Sequence, residues 1–349
     1  MRRVTTLAAA ILAGALVLTS CGGDDAAETT PKDDTGTSAA ASDIKVGLAY
    51  DIGGRGDQSF NDAAAAGLDK AAEEFGVETK EAEASNGEPE SAKEERLRAL
   101  ASAGFNPIIA VGFAYSASVV TVAKELPDTQ FAIIDDSAAV GDNIANLLFA
   151  EEQGSFLVGA AAALKSEAGN IGFVGGVDVP LIHKFEAGYK AGAEAVNPDI
   201  EVQIKYLTQP PDFSGFGDPA KGKTAAAGMF DNGADVVYQA AGGSGGGVFE
   251  AAKDAGGFAI GVDSDQYNTA DPAVQDVIIT SMLKKVDVAV YDFLKTVTED
   301  NFTAGPLTYD LEKDGVGYST SGGQIDDITD KLEEYKEQII SGEITVPTE

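Results

Sequence analysis

Cysteine, histidine and positive charge are scarce in this chain. Its 349 residues include one cysteine, Cys21, and one histidine, His183; 24 Lys and Arg stand against 57 Asp and Glu, for a formal net charge of −33. With a single cysteine no internal disulfide forms, so the folded part must stand on its hydrophobic core. With a single histidine, placed at the start of a helical stretch, a His-assisted nucleophile or a multi-histidine metal site has little to draw on. The acidic excess repels phosphate backbones and anionic lipid surfaces alike, which argues against nucleic-acid polymers as partners and against membrane association through charge. A long apolar run is lacking at the N-terminus: Leu7 to Leu18 would rise about 18 Å as a helix, short of the roughly 20 residues that cross a bilayer.

That short run still carries information. Arg2 and Arg3 precede it, small residues end it, and Cys21 follows in Leu18-Thr19-Ser20-Cys21, with Gly22 and Gly23 next. A positive start, a short apolar stretch and small residues are the anatomy of an export signal, expected over residues 1–20. The four residues ending at Cys21 resemble the lipobox of bacterial lipoproteins, which implies acylation of the Cys21 thiol, cleavage just before it, and a lipid anchor on the extracytoplasmic face of the cell membrane. Acyl chains would supply about 0.8 kcal/mol per buried methylene against the repulsion of the acidic chain. An ordinary export signal with an incidental cysteine is the alternative. Residues 21–42, rich in Asp, Thr, Ser, Ala and Gly without a large apolar side chain, read as a flexible, self-repelling tether.

Roughly 300 residues follow, more than one core usually serves, so two lobes are expected. Short β-branched or aromatic runs bounded by Gly, Asp or Pro recur at Ile44 to Tyr50, Pro107 to Val111, Phe131 to Ile134, Ile171 to Val174, Val202 to Leu207, Val236 to Gln239, Phe258 to Val262 and Val277 to Thr280. Ala-, Glu- and Lys-rich stretches such as Phe60 to Phe75, Pro89 to Ala103, Ser116 to Leu126, Gln153 to Lys165, Phe185 to Val196 and Val248 to Ala255 lie between them. This alternation predicts an α/β fold of parallel sheets with helices on both faces. Further strands are expected around Leu307 to Leu311, and a helix around Asp327 to Ile340.

Ligands of such sheets bind beyond the carboxyl ends of the strands. The loops there carry Asp51, Asp57, Ser59, Phe60 and Asn61 after the first strand, Asp135 after Phe131 to Ile134, Asp212 to Phe216, Gly242 and Gly243, and Asp263 to Gln266. Carboxylates accept from vicinal hydroxyls, aromatic faces stack on flat rings, and glycine permits close backbone approach. Two facing loop sets of this kind suit a small polar molecule with a sugar and a ring.

Asp51 through Asn61, Glu152-Gln153-Gly154-Ser155-Phe156-Leu157-Val158-Gly159, Ile171-Gly172-Phe173-Val174-Gly175-Gly176, Ala241-Gly242-Gly243 and Gly261-Val262-Asp263-Ser264-Asp265-Gln266 resemble the basic membrane protein, or purine nucleoside receptor, family of lipid-anchored solute-binding components of ABC importers. The resemblance implies a two-lobed, periplasmic-binding-protein-like (type I) fold: residues 43–147 with about 283–304 in one lobe, and 148–282 with about 305–349 in the other. Crossings would fall near Leu147, Met282 and Gly305. It implies no cofactor, a nucleoside clamped between the lobes, and an ABC permease and ATPase as partners.

Carried over residue by residue, the resemblance has Phe60 stack on the base, Asn61 hydrogen-bond its edge, and Asp135 act as a second base-reading group. Phe216 would complete an aromatic sandwich, with Phe213 competing for that place. Asp263, with Asp265 close behind, and Lys284 or Lys285 would meet the ribose. Purely structural roles for the same residues are a core position for Phe60, a helix cap for Asn61, a turn with Asp136 for Asp135, and an exposed hinge charge for the lysines.

Gly217-Asp218-Pro219-Ala220-Lys221-Gly222-Lys223-Thr224 matches the P-loop pattern. Pro219 removes a backbone donor and Asp218 sets a carboxylate where phosphates would sit, so this segment reads as a capped helix start, with Lys223 on a solvated face. A carboxylate-based nucleoside hydrolase could draw on Asp51, Asp57, Asp135 and Asp263, although no acidic calcium-binding run follows the first strand. A binder of a sugar or sugar derivative would use the same residue types, since it too stacks aromatics and pairs hydroxyls with Asp and Asn. A surface interaction protein without a small ligand would instead fill the cleft with large apolar side chains.

Overall fold

The computed structural model describes residues 42–349. Cys21, the expected export signal and all but the last residue of the expected tether lie outside the described residues. The chain runs through β1 (Lys45–Ala49), α1 (Phe60–Phe75), β2 (Glu78–Ala82), α2 (Glu90–Ser102), β3 (Ile108–Ala110), α3 (Ser116–Glu125), β4 (Phe131–Ile134) and β5 (Ile144–Phe149). It continues with α4 (Glu151–Lys165), β6 (Asn170–Val177), α5 (Pro180–Val196), β7 (Glu201–Thr208), α6 (Pro219–Asp231), β8 (Val236–Ala240), α7 (Gly245–Ala255), β9 (Phe258–Asp263) and α8 (Gln266–Thr269). It ends with β10 (Ile278–Lys284), α9 (Val286–Thr298), β11 (Gly305–Tyr309), β12 (Val316–Tyr318) and α10 (Thr329–Ile340).

The strands form two sheets of six, in the orders β11-β5-β4-β3-β1-β2 and β12-β10-β9-β8-β6-β7. Every pairing is parallel except that of β12 with β10. Alternation along each strand feeds a core on either face. In the first sheet Val46 and Leu48 pack with Leu68 of α1, whereas Ala49, Ile108 and Ala110 pack with Leu97, Leu100 and Val119 of α2 and α3. In the second, Phe173 and Tyr238 meet Phe156 of α4 and Tyr189 of α5, whereas Val174 and Val237 meet Met229 and Val248 of α6 and α7. These are two α/β lobes with helices on both faces.

Helices α4 and α5 approach so closely that a methyl group at Gly159 would collide with the Tyr189 carbonyl, and one at Gly188 with that of Glu152. Glycine is what lets α5 lie flat on α4, and this fixes where the first turns of α5 meet the space between the lobes.

The chain passes between the sheets three times: from Phe149 to Glu151, from Lys284 to Val286, and from Tyr309 to Val316. The crossings bond to one another. The Ala150 N–H donates to the Tyr309 carbonyl (3.0 Å), the Leu311 N–H to Gln153 Oε1 (3.0 Å), and the Lys285 N–H to the Gly315 carbonyl (2.9 Å).

The third crossing corrects an expectation. Residues 305–309 do not join the second lobe, because β11 pairs in parallel with β5, from Gly305 opposite Ala145 to Tyr309 opposite Phe149. The open edge of β5 takes up β11's backbone groups, so the chain leaves the first lobe after Tyr309 instead of near Gly305. Leu147 and Met282 likewise lie inside β5 and β10, and the crossings follow them.

Candidate ligand-binding site

The loop after β1 is held by two side chains. The Asp57 carboxylate accepts from the backbone N–H groups of Ser59 (2.9 Å), Asn61 (2.9 Å) and Asp62 (3.1 Å), and so caps α1 where the N-cap residue, Ser59, makes no side-chain cap bond. The Asn61 amide donates to Asp57 Oδ2 (3.0 Å) and to the Ile52 carbonyl (3.4 Å), while its oxygen accepts from the Asp51 N–H (3.0 Å). Asn61 therefore spends both of its donors inside the loop, and Asp57 rather than Asn61 caps the helix. What the loop presents is Phe60, half-buried, and Asp51. Burial pushes the Asp51 carboxyl up to about 6, against the Ile52 N–H that favours its charge. Gly112, at φ 96, faces Asp51 so closely that a Cβ there would meet the carboxylate.

Asp135 and Asp263 both adopt the left-handed backbone conformation, at φ 63 and 62, just past β4 and at the end of β9. Asp135 Oδ2 accepts from the Lys284 ammonium. Its Oδ1 is buried without a hydrogen-bond partner, on a side chain only 4% exposed. Asp263 Oδ2 accepts from the Ser59 hydroxyl of the opposite lobe (2.5 Å).

Lys284 is 2% exposed, its Nζ 3.4 Å from Glu151 Oε1 and 5.0, 5.1 and 5.5 Å from the ring centres of Phe60, Phe149 and Phe185. Three carboxylates thus surround one ammonium. Burial opposes the charge on Lys284, but Asp135, Glu151 and Asp263 outweigh it and raise the amine to about 12. The lysine keeps its proton, and the surplus of acid shows on the carboxyl side. Burial, with Glu151 and Asp263 adding to it against Lys284, lifts Asp135 to about 7. Burial lifts Asp263 to about 6 against Lys284 and the Ser59 hydroxyl.

Between these groups lies a cleft. The lobes touch around it. Beside the bond from Ser59 to Asp263, the Ser264 hydroxyl donates to the Ser59 carbonyl (3.2 Å), and the Gln266 amide to that of Gln58 (2.9 Å). Phe113 meets Phe213 edge-on at 6.0 Å.

Of the residues singled out from sequence, Asp51, Asp57, Phe60, Asn61, Asp135, Phe216, Gly242, Asp263 and Lys284 line the cleft. Ser59, Gly243 and Asp265 do not. Ser59 is fully buried in its bond to Asp263, and Gly243 stands behind Phe216 and Asp57. Asp265 turns to the hydroxyls of Ser319 (2.9 Å) and Ser321 (2.5 Å) and the amide of Asn268 (2.7 Å). Phe213 is outside the lining, and Lys285 pairs with Asp314. Asp135 and Lys284, given by the resemblance to a base and to a ribose, form one buried ion pair.

Sequence reading missed Leu181, Ile182 and Phe185 in the lining, and Glu151 behind it. The signal for Leu181, Ile182 and Phe185 was their helical spacing directly after Pro180, which opens α5. The P-loop look-alike is a capped helix start. Asp218 accepts from the Lys221 N–H (3.1 Å), and Lys223 pairs with Glu250 (3.1 Å) and Asp254 (2.8 Å) on a solvated face. His183 Nε2 lies 2.7 Å from Asp178 Oδ1, away from the cleft. Among the described residues no group of His, Cys, Asp and Glu is placed to hold a metal ion, and no helix is long and apolar enough to cross a membrane.

Residues 44–349 match the model of the Bmp family, described as ABC transporter substrate-binding protein PnrA-like. A CD4+ T-cell-stimulating antigen of Listeria innocua is 34% identical over 97% of this chain and 96% of its own length. A protein of Lactococcus lactis subsp. cremoris named ABC transporter nucleoside-binding protein BmpA is 33% identical over 99% of each chain. A crystal structure of an ABC transporter system solute-binding protein from Aeropyrum pernix K1 superposes with a TM-score of 0.76 at 32% identity, covering 88% of this chain and 94% of that one.

Proposed function

This chain belongs to the Bmp, or PnrA-like, family of ABC transporter substrate-binding proteins, and we propose that its ligand is a purine nucleoside, held between the lobes and delivered from a lipid anchor at Cys21. Proteins of this class bind a small molecule for an ABC permease and carry out no chemical step.

The observation that carries the nucleoside reading is the free Asp135 Oδ1, buried in the cleft wall with no protein donor. A buried carboxylate oxygen left unpaired is costly, so a ligand that brings an N–H or O–H to it gains more than the same bond would give in water. Asp263 and Lys284 stand beside it, and a ribose offers vicinal hydroxyls to that group. Phe60 and Phe216 line the same cleft and offer faces to a base, with Asp51 beyond them as an acceptor for a base N–H. Only a ligand with both a ring and a hydroxylated sugar uses all of these groups. The anchor reading rests on the position of Cys21 directly after the apolar run.

Thermal-shift titration of the unfolded, ligand-stripped and refolded protein against adenosine, guanosine, inosine, cytidine, uridine, ribose and galactose tests the ligand. Purine nucleosides are expected to raise the melting temperature most, and a larger shift with ribose or galactose would select the sugar reading. Base stacking is worth about 1–3 kcal/mol, so Phe60→Ala is expected to weaken the best nucleoside about 5- to 150-fold. For the anchor, Cys21→Ser is expected to move the protein out of the membrane fraction in detergent-free fractionation.

A further inference from the structure

Glu151 does not line the cleft, yet its side chain is only 1% exposed. It opens α4 immediately after the first crossing, with one carboxylate oxygen 3.4 Å from Lys284 Nζ and the other 3.1 Å from Lys184 Nζ. Lys284 ends β10 immediately before the second crossing and pairs with Asp135 of the first lobe. Lys184 sits on α5 of the second lobe, next to Phe185 of the cleft wall. Charges therefore alternate from Asp135 through Lys284 and Glu151 to Lys184, from one lobe to the other by way of two crossings.

A carboxylate so deeply buried is costly unless paired and hydrogen-bonded. Helix α4 supplies a favourable N-terminal field, but that would serve an acid at any exposed first-turn position as well. What is particular to Glu151 is that it is a second buried carboxylate within reach of the Lys284 ammonium that Asp135 holds. The rings of Phe60, Phe149 and Phe185 crowd the same ammonium at 5.0 to 5.5 Å and offer it no hydrogen-bond acceptor. Two carboxylates hold it, Asp135 more closely than Glu151.

We propose that Glu151 is a positioning residue for ligand binding: as a second carboxylate against the Lys284 ammonium it keeps that ammonium from settling between both oxygens of Asp135, so that Asp135 holds it through Oδ2 alone and Oδ1 stays free for a donor on the nucleoside. The proposal rests on the nucleoside reading above. Without the Glu151 charge, Asp135 is the ammonium's remaining close anionic partner, and Lys284 moves between the two Asp135 oxygens and competes with the ligand.

Glu151→Gln and Glu151→Asp, made in the full chain purified in detergent and stripped by unfolding and refolding, separate this role from a merely structural one. Guanosine is the probe, titrated from pH 5 to pH 8. Asp135 is faced by Lys284, Glu151 and Asp263, and removal of the Glu151 charge makes Asp135 easier to ionise. Glu151→Gln is expected to weaken guanosine about tenfold at pH 8, and to move the acid loss of affinity to lower pH. Glu151→Asp, which keeps the charge one methylene short, is expected to lose about threefold.

In ligand-free protein the fall of melting temperature between pH 5 and 8 is expected to be smaller in Glu151→Gln than in the parent. Glu151→Gln with parental affinity and parental acid limb overturns the proposal. Should Glu151→Gln fail to fold, Glu151→Asp decides, and parental affinity and acid limb in that variant overturn it. If the parent binds no nucleoside, the ligand reading fails, while the ligand-free melting comparison still judges the link from Glu151 to Asp135.

Discussion

Asp135 and Asp263 occupy matching places in the two lobes. Each stands at the C-terminal end of the third strand counted inward from β11 or β12, each takes the left-handed conformation at φ 63 or 62, and each faces the cleft. Their partners differ. Asp135 meets an ammonium from the second crossing and leaves one oxygen free. Asp263 spends an oxygen on the Ser59 hydroxyl of the opposite lobe. The same backbone device, repeated in each half, presents one carboxylate with an unpartnered oxygen at the cleft and another that fastens the lobes. A left-handed turn at the strand end is tolerated by Asp and swings the side chain toward the space between the lobes. The chemistry of each carboxylate is then decided by what reaches it from elsewhere.

If that division holds, removing Asp135 has the largest effect. Asp135→Ala takes away the free acceptor and leaves Lys284 buried beside Glu151, so guanosine affinity is expected to fall about 100-fold or more and folding stability by about 3–5 kcal/mol; calorimetry and denaturant titration read the two. Asp263→Ala removes a ligand contact and a fastening bond together. It is expected to weaken nucleosides about 30-fold, and free guanine, which lacks the sugar, only by the roughly three- to tenfold that the lost fastening bond accounts for.

Ser59→Ala isolates the fastening role. Loss of one hydrogen bond to a charged group is expected to weaken guanosine about three- to tenfold and to loosen the closed form seen in solution scattering. An effect as large as that of Asp263→Ala would mean that closure, rather than ligand contact, is what Asp263 supplies.

Acidity acts on the two carboxylates in the same direction but on binding and folding in opposite ones. Burial pushes Asp51, Asp135 and Asp263 up to about 6, 7 and 6, above the ordinary carboxylate value. Between those values and the unfolded ones the native protein holds more protons than the unfolded chain, so stability from these groups is present at low pH and is lost as pH rises through about 6 to 7. Ligand-free protein is therefore expected to melt higher at pH 5 than at pH 8. Nucleoside affinity, which needs an ionised Asp135, is expected to fall as pH drops over the same interval. Parallel changes in the two would contradict the role given to Asp135.

Where apolar pattern and burial coincide, the fold was legible in sequence. Helix α1 falls on Phe60–Phe75 and β4 on Phe131–Ile134, as expected. Strand β2, Glu-Thr-Lys-Glu-Ala, escaped because an edge strand with two of its five residues exposed and none buried carries no apolar run. Strand β5 escaped because it leads straight into a crossing, and its pattern read as a connection. Helix α9 is rich in valine, which blurs the helical signal.

In the site, the strand-end carboxylates and Phe60 were legible because position after a strand is itself the signal. Glu151 and the partners of Asp265 were not. They depend on which crossing passes behind the cleft and on a C-terminal turn that brings Ser319 and Ser321 to Asp265. Pairing of residues more than 50 positions apart is a property of the fold.

Calorimetry of ligand-stripped protein with guanosine, adenosine and inosine at pH 8, each measured beside ribose, tests the central claim most directly. A purine nucleoside binding with one site per chain and a Kd below about 100 μM, with ribose far weaker, is the predicted result. No heat from any purine nucleoside, with a simple sugar binding well, would contradict it.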